Sequence, residues 1–370
     1  MFRAWVVCHD ADRFKFYGFH APPLINVEIL SASAWSNWLG YSRNRQRPCC
    51  IVVVGFPGAG WTFDPTATLG NDLRKVVYHV ESLTHETLLN IVRTAAAAEM
   101  TPTKAAPKIS VFTSFHRTPP AVIARTAASL ARQTFDDYEW VVCHDDWTET
   151  DIGWQSQVPP ALANKIRSIG WFKSGRIGWL KGMLCAAARG RYLVELDHDD
   201  ELAPHALQRI NDAMDDTRAD FVYSRFAEVL PDGRSNEYGA DYWEYDTFET
   251  DWSDAGKRTF RAGRLHDFHG TFRFNGNDEP TIYHMGVCPN HVRAFRRDSY
   301  FKFGGYADLP WCDDYDLLCR FWLNGRSHGI NDLLYVQHLA NSTWTKNPEW
   351  LTEHMRIVLN KYRGQIDAAL

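Results

Sequence analysis

Asp197, His198, Asp199 and Asp200 stand in a row at the end of YLVELDHDD (192–200), placing three carboxylates on four consecutive residues. Like charges that close repel and raise one another's pKa, so the cluster needs a physical reason. A hard divalent cation supplies one, because Mg²⁺ or Mn²⁺ takes carboxylate oxygens and neutralises the group. A helix N-terminus supplies another, with Asp199 or Asp200 as the cap ahead of Glu201 and Pro204. The tetrapeptide alone does not choose between them.

The elements around it narrow the choice. Tyr192 to Leu196 is short, mostly apolar and β-prone, and reads as a buried strand that ends at the acids. In open α/β sheets, ligands bind at the carboxyl ends of strands. ISVFTSF (109–115) is a second strand, RTPPAVIARTAASLARQ (117–133) an amphipathic helix with proline near its first turn, and YEWVVCHD (138–145) a third strand ending in Asp145 and Asp146. A helix containing KGMLCAAARG, another from about Pro204 to Asp215 and a strand in DFVYSRFAEVL (220–230) continue the alternation. Strands alternating with helices predict an α/β fold with a largely parallel, Rossmann-like sheet flanked by helices. Residues 232–285, aromatic and charged but without sustained period, read as an ordered excursion over the sheet face. Regularity returns in VRAFRRDSYFKFGGYAD (292–308) and a helix in DDYDLLCRFWLNG (313–325).

A small-residue stretch at 94–108 reads as a linker. It sets off an N-terminal α/β region (1–100, with 101–107 as linker) from the main domain (108–345, divided at 230/231) and a C-terminal helix (346–370). IVVVGFPGAG (51–60) looks like a strand entering a glycine-rich turn, but no Gly-Lys-Ser/Thr follows, which argues against a phosphate-binding loop. WVVCHD occurs at 5–10 and again at 140–145. Either two buried strands share a composition, or residues 1–100 are a degenerate copy of the domain's first half. A copy would keep its strand order.

Of 370 residues, 45% are hydrophobic and 23% charged, as in an ordinary globular protein, and the net charge of −5 does not suggest a nucleic-acid binder. No run approaches the roughly 18 apolar residues of a membrane span. The apolar stretch of MFRAWVVCHDADRFKF is too short for a signal peptide. Eight cysteines without a C-x-x-C pair support neither a zinc knuckle nor a redox site, and point to a reducing, cytoplasmic setting. Aromatics reach 14%, including 15 Trp; exposed ones suit a partner with flat C–H faces, as sugars have.

Read in order, three blocks resemble glycosyltransferase family 2, the GT-A fold. ISVFTSFHRTPPAVIARTAASLARQTFDDYEWVVCHDDWTETD is similar to its opening strand, helix and second strand. YLVELDHDDELAPHAL is similar to its metal-binding strand and following helix. RRDSYFKFGGYADLPWCDDYDLLCRFWLNG is similar to the segment with its catalytic acid pair. The resemblance covers roughly 108–345. It implies that Thr113, Ser114, Phe115, His116 and Arg117 line the nucleotide. Asp145 or Asp146 would accept from uracil N–H, and Asp197 and Asp199 would hold the diphosphate through Mn²⁺ or Mg²⁺. Asp200 would cap the next helix. Asp314, partnered by Asp313, would be the general base that takes the acceptor hydroxyl's proton; the plain alternative is acid enrichment at a helix N-terminus. His338 aligns with a position near the metal. The family's usual Asn before the metal strand is replaced around Lys181-Gly182, with Lys181 or Arg176 as substitute cationic contacts.

The implied activity is a metal-dependent, inverting transfer from a nucleotide-diphospho-sugar, UDP-linked, to a glycan, glycolipid or glycoprotein hydroxyl, as in polysaccharide biosynthesis. Trp243 and Trp311, with Tyr242, Tyr245, Trp252 and Phe268, are candidates for acceptor stacking. Peripheral membrane or homo-oligomer association is left open. Two rivals remain. A sugar nucleotidyltransferase would carry a Gly-rich, Lys/Arg-containing loop after the first strand, which FTSFHRTPP is not. A non-catalytic carbohydrate-binding protein would tolerate loss of Asp197, Asp199 and Asp314, which are present.

Overall fold

The computed structural model describes the backbone of 2–8, 25–31, 50–54 and 76–80, and then residues 106–145, 158–172, 175–238, 244–253, 256–274, 276–284, 291–341 and 348–370. In the first hundred residues β1 (Phe2–Cys8), β2 (Ile25–Ser31), β3 (Cys50–Val54) and β4 (Val76–Val80) form a parallel sheet ordered β2-β1-β3-β4. The glycine-rich continuation of β3 lies outside the described residues.

The larger sheet starts from β5 (Ile109–His116), β6 (Tyr138–Asp145), β7 (Ile166–Phe172) and β8 (Tyr192–Glu195), all parallel and ordered β7-β6-β5-β8. In chain order this is 3-2-1-4, against 2-1-3-4 in the N-terminal sheet. The orders differ, so the repeated WVVCHD does not mark a duplicated half.

These strands are apolar on both faces because helices cover both faces. Ile109, Val111, Phe115, Trp140, Val142 and Val194 pack toward α1 (Pro120–Ala131) and, beyond β9 (Glu201–Leu202), α3 (Ala206–Thr217). Phe112, Val141, Cys143 and Leu193 pack on the other side against α2 (Ile177–Ala187). α1 begins with Pro120 at its first position, where a missing N–H costs nothing.

The second half is more antiparallel than the sequence suggests. β10 (Phe221–Val229) is followed by a hairpin of β11 (Tyr245–Ser253) and β12 (Gly256–Gly263), then a smaller one of β13 (Thr271–Phe274) and β14 (Asn277–Pro280). The expected irregular excursion is therefore largely hairpin. Phe248 packs against the apolar cluster that includes Phe260 and Ala262, and also lies 4.9 Å from the Arg225 guanidinium. β15 (Ala294–Arg296) then inserts antiparallel between β8 and β10. α4 (Arg297–Lys302) and α5 (Asp313–Asn324) lead into β16 (Ser327–His338), parallel to β10, and α6 (Pro348–Ala369) packs on α5.

The direction of β15 decides what meets at the sheet's functional edge. Ala294 pairs with Val194 and Glu195 N–H donates to Arg293 O, so the residues entering β15 lie beside the end of β8. No helix among the described residues is long and apolar enough to cross a membrane.

Candidate active site

Where β8 ends, Tyr335 of β16 holds the acidic run in shape. Its hydroxyl donates to Asp200 Oδ2 at 2.8 Å and accepts from the Asp197 N–H at 3.1 Å. The His338 N–H donates to Asp200 Oδ1 at 2.7 Å. Asp200 was expected to cap the next helix; it is buried and ties the loop after β8 to β16 instead, while α3 starts six residues later, at Ala206 behind His205. On Tyr335 lies the His291 ring, 4.2 Å away and nearly parallel at 3°.

Ligand atoms of Asp197, Asp200 and His291 lie within 4.8 Å of one another. Burial pushes the Asp200 carboxyl well up, with Asp199 and Asp197 adding to it. Asp197 is also raised, by burial and by Glu195 and Asp199, against the opposing pull of Lys181 and Arg293. Burial and then Arg293 hold His291 well below the usual imidazole range, hence neutral. Carboxylates that are costly to ionise together, beside a neutral imidazole, fit a divalent cation. Asp199 lies outside this cluster, its carboxylate 3.9 Å from His198 Nδ1. The His338 ring lies on Glu201, with Nε2 2.8 Å from Oε1, because β16 turns it toward β9.

Next to this end is a buried network of charge. Glu195 is 1% exposed, and its Oε2 accepts from Arg293 Nε at 2.5 Å and from the Tyr306 hydroxyl at 2.8 Å. Lys181 Nζ lies 2.6 Å from Glu195 Oε1 and 3.4 Å from Asp313 Oδ2. Arg293 Nη1 donates to Asp314 Oδ2 at 2.8 Å, and Asp314 Oδ1 accepts from the Tyr315 N–H at 2.8 Å. Burial opposes ionisation of Glu195, but Arg293 and Lys181 outweigh it and hold the carboxyl below the usual range. Lys181, expected on the diphosphate, is buried within this network. Glu195 and Arg293 were missed as site residues. The available signal was a charged residue inside each of two apolar strand segments, since a buried charge requires a partner.

The expected nucleotide loop divides between interior and surface. The Thr113 hydroxyl donates to Leu196 O at 2.7 Å and accepts from Trp140 Nε1 at 2.9 Å, both buried. Phe115 stacks on His144 with centroids 4.9 Å apart and is 1% exposed. These two side chains belong to the core because period-2 alternation turns them inward. Ser114 is half-buried beside Cys143 Sγ, 3.6 Å away. His116 and Arg117 are exposed, Arg117 with φ of 46° where the chain leaves the strand. Asp145, at the end of β6, accepts from the Gly175 N–H at 3.1 Å and lies 3.6 Å from His116 Nδ1. Asp146 lies outside the described residues.

Among the aromatic candidates, Trp311 is 41% exposed and meets Trp350 edge-on, with centroids 4.6 Å apart. Phe268 is a correction: it is fully buried and packs on Phe221 at 5.2 Å, filling the core. Tyr245 is half-buried and its hydroxyl accepts from the Tyr238 N–H. Tyr242, Trp243 and the Trp252 side chain fall outside the described residues.

A parallel nucleotide-type half and a mixed half, each bringing acids to one sheet edge, define a GT-A type architecture. The profile of glycosyl transferase family 2 matches residues 110–300, just over half of the sequence, and the chain belongs to that family. None of the curated proteins matches. The S. aureus TarS crystal structure aligns at 18% identity and TM-score 0.46, covering 68% of this chain and 39% of that one. TarS 1–349 in complex with UDP-GlcNAc aligns at 18% identity and TM-score 0.48, covering 68% and 65%. The complex of TarS 1–349 with UDP gives 18% and 0.44, covering 62% and 60%. The chain thus spans less than two thirds of the length of each.

Proposed function

We propose that this chain transfers a sugar from a nucleotide-diphospho-sugar, UDP-linked, to a hydroxyl of a glycan or glycoconjugate, with inversion at the anomeric carbon and with a divalent cation. The observation that carries this reading is the Arg293 guanidinium, which bonds both Glu195, two residues before Asp197, and Asp314. One rigid group thereby joins the cation end of the site to the base end.

Asp314 is the general base. It is half-buried and takes the acceptor proton as the oxygen attacks. Arg293 and the Tyr315 N–H fix its carboxylate, so its orientation is set before the acceptor arrives. Displacement in one step with one base inverts the anomeric centre. Asp145, with His116 beside it, meets the uracil edge at the end of β6. Asp197 and Asp200 would hold Mn²⁺ or Mg²⁺, which when bound would offset the charge developing on the leaving diphosphate. Trp311 offers its exposed face to the acceptor.

The test is a thermal-shift panel of UDP-, GDP- and dTDP-sugars with and without Mn²⁺, since a ligand of the folded state alone raises stability. UDP-sugars should stabilise the chain when Mn²⁺ is present. No shift with any sugar nucleotide would overturn the proposal.

A further inference from the structure

At the end of β8, beside the Asp197 and Asp200 carboxylates, a buried imidazole nitrogen lacks a hydrogen-bond partner. His291 is 2% exposed, and its Nδ1 has no hydrogen-bond partner among the described residues. A buried polar atom without a partner costs about 1–3 kcal/mol, so it calls for an explanation.

Its surroundings supply one. The ring is clamped flat on Tyr335 and edge-on to Phe226 at 5.9 Å, which fixes its plane. The same Tyr335 hydroxyl bonds Asp197 and Asp200. One side chain therefore sets the relative position of an imidazole and two carboxylates whose ligand atoms lie within 4.8 Å of one another. Two other histidines reach this edge: His338 lies on Glu201, and His198, whose Nδ1 also has no hydrogen-bond partner among the described residues, is partly exposed and lies outside the Asp197–Asp200–His291 cluster. The antiparallel entry to β15 is what brings His291 here, although it lies far from the acids in sequence.

We propose that His291 is the nitrogen ligand of the cation, converting an all-carboxylate strand end into a mixed carboxylate–imidazole site that prefers Mn²⁺ to Mg²⁺. Imidazole suits the transition ions, whereas Mg²⁺ favours oxygen throughout. The inference rests on the cation dependence proposed above.

The experiment is pulsed electron paramagnetic resonance of Mn²⁺ bound to the untagged chain with UDP, alongside Mn²⁺ and Mg²⁺ titrations. Wild type should show ¹⁴N modulation from one imidazole, and so should the double variant H198Q/H338Q. H291Q should lose the modulation, and its preference for Mn²⁺ over Mg²⁺ should fall by about tenfold. If H291Q does not fold, the double variant decides: retained modulation upholds the assignment, and lost modulation overturns it. Modulation persisting in folded H291Q, or Mn²⁺ bound to wild type without any ¹⁴N signal, would overturn the inference while leaving cation dependence standing. Absence of Mn²⁺ binding even with UDP would overturn both.

Discussion

Arg293 Nη1 donates to Asp314 Oδ2 at 2.8 Å from a guanidinium that is itself buried against Glu195. The base proposed for transfer is thus held by a residue that cannot move without taking one of its cationic partners from the buried Glu195.

Removing that guanidinium should be costly. Arg293→Met leaves Glu195 with Lys181 and Tyr306 but takes away the guanidinium that joins it to Asp314, and breaking a buried pair costs about 3–5 kcal/mol. Arg293→Met/Glu195→Gln should lose markedly less than the sum of the single changes, because the stranded charge goes too. Urea unfolding of the two singles and the double measures this. Additive losses would contradict the bridge.

Asp313 should leave a signature in the pH dependence of stability. Burial, opposed by Lys181 and reinforced by Asp314, pushes its carboxyl up to about 6 from an ordinary 3.8. The folded chain then holds this proton more tightly than the unfolded chain. Its contribution to stability is full below the ordinary value and is lost as pH rises through the folded one. The melting-temperature difference between wild type and Asp313→Asn should therefore fall from about pH 4 to about pH 6 and level off above. A difference that stays flat across this window would show that Asp313 ionises normally.

Nucleotide recognition is assigned to the end of β6. Asp145→Asn removes a buried carboxylate charge that also accepts from the Gly175 N–H, and should weaken UDP binding by about 10–100-fold, the worth of one charge-assisted hydrogen bond. Titration calorimetry with UDP checks it. Unchanged affinity would place the base elsewhere.

The parts of this fold governed by local pattern were legible in the sequence. The apolar runs of β5, β6 and β8, the proline-led α1 and the acid-led α5 follow from period and caps, and the ends of β6 and β8 were recognisable as acidic. Contacts created by strand order were not legible. Arg293 and His291 meet Glu195 and Asp197 only because β15 runs antiparallel to β8, and nothing in three residues of strand announces its direction. Thr113 and Phe115 were assigned to the ligand by position along the loop, whereas the alternation of the strand turned them inward. Asp200 looked like a cap because the helix that follows is close in sequence; its partners on β16 are 135 and 138 residues away.

Asp314 is proposed as the base of a cation-dependent sugar transfer from a UDP-sugar. The direct measurement is UDP release with Mn²⁺ from wild type and Asp314→Asn, after UDP binding has been shown equal in both. Wild type should turn over, and the variant should be slower by about 10²–10⁴-fold, the usual worth of a general base. Equal rates in the two proteins, or no UDP released by wild type from any UDP-sugar and acceptor, would contradict it.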